Sequence, residues 1–170
     1  MKLRTINTRP AELRTRAIGD LAVLVQFGRL VVAIAAQRVA RIVLADEAVP
    51  AAPRSTPRIQ IGGTVMPAWD LGKLLGFREA PAAWLVFTTT DQPDSPEIAL
   101  GTGPCIAVAT HDGAAPLPGG VVVGPESAVI GVFATDLALR ERGIGELGVR
   151  VDPLRLIGPA ALAAAQRGER

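Results

Sequence analysis

The first dense apolar stretch, "DLAVLVQFGRLVVAIAA" (Asp20–Ala36), is two runs of Val, Leu, Ile and Ala broken by Gly28–Arg29. A two-residue break with Gly first predicts a β-hairpin. Val23, Val25 and Phe27 then share one face of the first strand. "AAQ" makes a helical or turn-like corner. "RVARIVL" (Arg38–Leu44) predicts the next strand, with Val39, Arg41 and Val43 on one side and Ala40, Ile42 and Leu44 on the other. Ala45–Pro57 is Pro/Ala-rich and polar and predicts a surface loop, because proline is excluded from central strands. "RIQIGGTVMPAW" (Arg58–Trp69) predicts two short strands turning at "GG". "WDLGKLLG" (Trp69–Gly76) follows. Asp70 is placed to cap a short helix, Leu71–Leu74, and Gly76 to end it in a left-handed conformation.

The second half runs to the same plan. "AWLVFTTT" (Ala83–Thr90) predicts a strand, "DQPDSPE" a turn, and "IALGTGPCIAVAT" one or two further strands. "HDGAAPLPGG" (His111–Gly120) is another Pro/Gly loop. "VVVGPESAVIGVFAT" carries strand material and "DLALRERG" (Asp136–Gly143) a short helix or loop. "LGVRVD" is the last strand. Asp152 then caps a turn with Pro153 at its first position, where proline is favoured. An Ala-rich helix, Pro159–Arg167, closes the pattern. "VDPLRLIG" (Val151–Gly158) therefore echoes "WDLGKLLG": Asp152 aligns with Asp70, Arg155 with Lys73, Leu156 with Leu74, Ile157 with Leu75 and Gly158 with Gly76. Each half finishes strand–Asp–short helix–Gly, which predicts two related β-barrel-like units. Closing a sheet into a barrel removes exposed edges.

Composition adds little to this picture except at one end. A chain of 170 residues, 49% hydrophobic and 20% charged, suits one ordinary domain or two small units sharing a core. Aromatic residues make up only 4%, so Val, Ile, Leu and Ala must fill that core. The formal charge of +2 is uneven: residues 1–16 carry +4 and the remainder −2. Residues 1–18 therefore read as a basic, flexible arm, with a short helix around Pro10–Arg16. A nucleic-acid module would carry its basic stripe on the folded body, with side chains placed to read bases. None is present, and no nucleic-acid partner is expected. The apolar stretch after the arm is interrupted by Asp20, Gln26 and Arg29, and no run approaches the roughly 18 uncharged residues of a membrane span. The chain reads as soluble and cytoplasmic, without direct membrane insertion.

Catalytic chemistry finds no foothold. His111 is the sole histidine and sits beside Asp112 and Gly113 in a loop. It reads as a turn residue, since no other residues complete a metal or acid–base site around it. Cys105 is the single cysteine, so no internal disulfide can form, as in a reducing compartment. It reads as a small buried apolar residue. "GTGP" lacks the Lys-Ser/Thr of a phosphate loop, and "GPESAVIG" misses the spacing of a nucleophile elbow. Asp70 and Asp152 have a sufficient task as caps. No cofactor or metal is expected, and function is expected in surfaces.

The order of these pieces resembles the CheW-like domain of bacterial chemotaxis adaptors, over residues 19–158. "QRVARIV" looks like that family's "V-x-E-V/I" strand. "IGGTVMPAWDLGKLLG" looks like its "L-R-G-x-x-[IV]-P-[IV]-x-D-L-x-x-L-L-G" segment, with Ile61, Gly63, Val65, Met66, Pro67, Asp70, Leu71, Leu74 and Leu75 all fitting. "AAPLPGG" resembles its Pro-containing loop, and "VIGVFAT…GVRVDPLRLI" its closing segment. The resemblance implies a mainly β fold: two intertwined SH3-like five-stranded barrels around a shared core, followed by a helix and tail at 159–170. It also implies a non-enzymatic scaffold, coupling the cytoplasmic tips of chemoreceptors to the regulatory domain of a CheA-type histidine kinase, with recruitment to membrane-associated receptor arrays.

Three positions depart from the family's pattern, the first being Pro57, which stands where a Gly is usual. The family's Arg, used to hold acidic receptor residues, falls at Gly62. Its Glu falls at Arg41. Neither residue can make the family's charge pairs, since Gly62 has no side chain and Arg41 has the opposite sign. The candidate partner-binding surface is the groove beside Val39, Arg41 and Ile42 and the turn Ile61, Gly62, Gly63 and Thr64. One alternative is a divergent module of this kind in another signalling, motility or polarity complex, with the basic arm docking an acidic partner. A second is a small-ligand-binding β-barrel, which would need a deep pocket with convergent polar groups.

Overall fold

A computed structural model describes residues 21–52, 56–90, 92, 94–110 and 128–167. The basic arm, His111, the "AAPLPGG" loop and the last three residues lie outside these. Strands β1 (Leu21–Phe27) and β2 (Leu30–Ala35) form the expected hairpin, with Gly28 at φ +55°. A 3-10 turn, Ala36–Arg38, makes the corner into β3 (Val39–Leu44). Next come a 3-10 turn (Ala45–Glu47), β4 (Ala48–Pro50), β5 (Arg58–Ile61), β6 (Thr64–Asp70) and helix α1 (Leu71–Leu74). The second half supplies β7 (Ala83–Thr88), β8 (Glu97–Thr102), β9 (Cys105–Thr110), β10 (Val129–Ala134), α2 (Leu137–Glu141), β11 (Leu147–Val151), α3 (Pro153–Ile157) and α4 (Pro159–Arg167).

Two curled sheets result. Among the described residues, unit A has five strands in the order β10-β11-β2-β1-β9, and unit B has six in the order β3-β7-β8-β6-β5-β4. Three findings correct the sequence reading. The sixth strand is β4, inside the segment read as loop; it sits at the sheet edge, where Pro50 costs no central ladder bond. The units are also not the two halves of the sequence. Each half places its first two strands in the other half's sheet, so β1–β2 join β9–β11, and β7–β8 join β3–β6. The third correction is local. Val39 pairs with Phe87 but Arg41 pairs with Val86, which leaves Ala40 as a bulge. The extra residue breaks the two-residue alternation, so Val39 and Arg41 lie on opposite faces.

The units correspond strand for strand. Reading outward, β5-β6-β8-β7-β3 matches β10-β11-β2-β1-β9. The parallel pairings, β6 with β8 and β11 with β2, fall at equivalent places. So does the bulge: between β1 and β9, Val25 pairs with Cys105 and Leu24 with Ala107, which skips Ile106 as β3 skips Ala40.

This arrangement explains why β1 and β2 read as continuous apolar runs rather than alternating ones. Both of their faces are buried. Val23, Val25, Phe27, Val32 and Ile34 face a shared core, where they meet Leu71, Leu85, Phe87, Ile98 and Leu100 of unit B. Ala22, Leu24, Val31 and Ala33 face the interior of unit A with Phe133, Leu139 and Ile144. The interior of unit B holds Val43, Ile59, Ile61, Met66, Ala68, Val86 and Ala99, drawn from β3 across to β5, as a curled sheet requires.

The echoed turns are the hinge of this symmetry. The Asp70 carboxylate accepts from Lys73 N–H at 3.1 Å, and the Asp152 carboxylate from Leu154 N–H at 3.0 Å. The aligned cations pair with the caps, Lys73 with Asp70 at 3.6 Å and Arg155 with Asp152 at 3.4 Å. Gly76 (φ +89°) lets Phe77 N–H reach Gly72 C=O at 2.8 Å and Gly76 N–H reach Lys73 C=O at 3.0 Å, a complete Schellman closure. α1 and α3 touch one another, and Leu71, Leu75, Leu154, Leu156 and Ile157 all pack on the shared core.

Candidate functional site

The open end of unit B is built by one hairpin and one edge strand. β5 and β6 pair through Ile61 and Thr64, leaving Gly62 (φ +56°) and Gly63 (φ +86°) as the two turn residues. Positive φ at both positions is the geometry that matches strand twist in a tight hairpin, and only glycine adopts it cheaply. β3 is the outermost strand on the other side of the sheet. Its Arg41 is exposed, and its guanidinium Nη1 lies 3.3 Å from the point a Cβ on Gly62 would occupy. Curling of the sheet thus brings two segments that are distant in sheet order into contact.

The candidate residues separate into two kinds. Arg41, Gly62, Gly63 and Thr64 are exposed and lie together at this end. Ile42 is 45% exposed but points to the opposite face of β3, opposite Leu85. Val39 packs against the shared core and Ile61, 2% exposed, fills the interior of unit B, so both support the surface from below. Sequence reasoning passed over Leu44, 60% exposed, which extends the Ile42 face along the same edge. The signal was its two-residue spacing from Ile42. It also passed over Val49 and Val65, which flank Gln60 in a row across the outer face of β4, β5 and β6. That row was illegible once β4 had been read as loop.

The polar groups at this end are open. Arg41 makes no ion pair or hydrogen bond among the described residues, and the Gly62 and Gly63 N–H groups have no acceptor among them. Asp46 and Glu47 stand just before Ala48, the cross-strand partner of Ile61, and neither comes within 4 Å of Arg41.

Elsewhere the chemistry is sparse. Among the described residues no group of three His, Cys, Asp or Glu side chains could hold a metal ion. A cavity of about 90 Å³ lies between Phe27, Asp70, Glu79, Pro81 and Gly103. That is well below the ~300–1,000 Å³ of small-ligand pockets. Its Asp70 is already committed to the α1 cap. Cys105 is half-buried rather than buried, beside the shared core. Burial pushes its thiol pKa up, and a hydrogen bond with Thr102 opposes that shift. No described helix is long and apolar enough to cross a membrane.

Two matched, curled sheets sharing one core decide the architecture. The fold is that of a CheW scaffold. The chain superposes on the crystal structure of the scaffolding protein TtCheW from Thermoanaerobacter tengcongensis with a TM-score of 0.59, covering 94% of this chain and 96% of that one. The sequences are 15% identical, so the likeness is one of fold. No family profile and no curated protein matches the chain.

Proposed function

We propose that the chain is a non-enzymatic adaptor, holding a CheA-type histidine kinase regulatory domain and a chemoreceptor cytoplasmic tip by protein–protein contacts. The observation that supports this most is the superposition on a scaffolding protein over nearly the whole of both chains. The surface that suits the role is the open end of unit B with the neighbouring β3 edge: Arg41 and Gly62–Thr64 on one side, Ile42 and Leu44 on the other. An edge strand carrying exposed apolar side chains beside an unpaired cation is suited to a protein partner, with apolar area for affinity and charge for orientation. The small cavity lined by Asp70 and Pro81 gives the ligand-binding reading little support.

The pairwise test is immobilised full-length chain against purified kinase regulatory domain and, separately, receptor cytoplasmic tip. Retention of both is expected. A folded chain that retains neither excludes the role.

A further inference from the structure

Unit A carries a charge on its inner face. Val149 and Val151 of β11 pack on the shared core, and Gly148 faces the Phe133 ring, so Arg150 points with Gly148 into the interior of unit A. Its cross-strand neighbours are Ala33 and Gly131. The matching place in unit B is occupied very differently. Arg150 stands two residues before the Asp152 cap, as Ala68 stands two before Asp70, and each pairs with an alanine of the parallel strand, Ala33 or Ala99. Ala68 is 4% exposed and belongs to an apolar interior. Unit A puts a guanidinium there. Arg150 as a whole is half-buried, but its Nε is closed off from water and has no hydrogen-bond partner. No carboxylate among the described residues lies within 4 Å of the guanidinium. A buried N–H without an acceptor is costly, and one on an unpaired cation costs more. A planar carboxylate supplies what is missing: two parallel acceptors, for Nε–H and one Nη–H, and a single negative charge. A dianionic phosphate would bring a second, uncompensated charge against Leu24, Phe133, Leu139 and Ile144. We propose that Arg150 anchors a binding site for a small monocarboxylate at the interior of unit A. The site lies in the other unit from the surface assigned to protein partners and does not depend on that assignment.

The test unfolds the full chain thermally in chloride buffer near neutral pH, and again with acetate, propionate or butyrate at matched ionic strength. Arg150→Met and Arg150→Lys are treated alike. At ten times its Kd a carboxylate should shift the unfolding equilibrium of the parent about elevenfold toward the native state. Arg150→Met should lose that shift. Arg150→Lys should keep only part of it, because an ammonium retains the charge without the planar fork. In chloride alone Arg150→Met should be at least as stable as the parent, since methionine fills the space without an unpaired charge. Inorganic phosphate should stabilise the parent less than acetate does. An equal carboxylate response in the parent and Arg150→Met overturns the inference. So does a folded Arg150→Met that is less stable than the parent in chloride, which would mean the guanidinium is already satisfied. Phosphate stabilising the parent more than acetate overturns the choice of a monocarboxylate. A readout on the parent alone holds even if a variant does not fold. In proton–nitrogen correlation spectra, an arginine Nε–H signal should move saturably with added acetate and stay in place with added chloride. If no arginine Nε–H signal moves, the inference fails.

Discussion

Asp70, Asp136 and Asp152 each stand one residue before a helix of five residues or fewer, and each accepts a backbone N–H from its first turn. Helices this short have little intrinsic stability, so the cap and the packing of Leu71, Leu139 or Leu154 hold them. Asp70→Ala and Asp152→Ala are each expected to cost about 1 kcal/mol in urea unfolding. Because α1 and α3 touch, the double variant should depart measurably from the sum. The caps were legible in the sequence because capping is local: donor, acceptor and terminating glycine lie within seven positions, from Asp70 to Gly76. The relation of Arg41 to Gly62 was not legible. It depends on how far the sheet curls, so the loss of a side chain at position 62 read as an absence. Cys105 marks a smaller difference, half-buried where full burial was expected. Its raised pKa keeps the thiol protonated, so alkylation near pH 8 should run slower than for a free cysteine. The sign for stability follows: the fold holds this proton more tightly than the unfolded chain. Stability therefore falls as pH rises above the ordinary thiol value of 9.0, and Cys105→Ala removes that component.

At the scale of elements, the hairpins were predictable from their turn residues and the strand faces were not always so. "GR" and "GG" mark β1–β2 and β5–β6 because positive φ is confined to glycine at those places. The bulge at Ala40 leaves no such mark, and a period-two reading put Val39 on the wrong face. β4 escaped because three residues with a proline carry too little pattern. Its pairing with β5 is a tertiary fact. Bulges also protect edges by twisting them away from flat pairing. Deleting Ala40 keeps Val39 opposite Phe87 and Arg41 opposite Val86 in regular register, so the fold should survive. The straightened edge, with Ile42 and Leu44 exposed, should then self-associate. Light scattering after size exclusion checks this: a monomeric deletion variant would show that the bulge guards nothing.

Across the whole molecule, the repeat written in the sequence is real, but its halves exchange strands. Nothing in the order of apolar runs says which sheet β1 and β2 will join. That choice is made by burial, since both faces of these strands are apolar and only the centre of the molecule can cover both. A direct consequence concerns fragments. Residues 1–80 and 81–170 should each fail to fold alone, because each lacks strands that complete its sheets, and should regain the native spectrum when mixed or co-expressed. Independent folding of either half would contradict the exchange. The shared core also means that the two units respond together: a leucine truncation such as Leu100→Ala is shared between them rather than confined to one. A single shared core suits the adaptor role proposed above.

The most direct test of that role is a three-component sedimentation experiment with full-length chain, kinase regulatory domain and receptor cytoplasmic tip. The adaptor account predicts a ternary species that disappears when this chain is omitted. Two mutually exclusive binary complexes, or no complex with a folded chain, would contradict it.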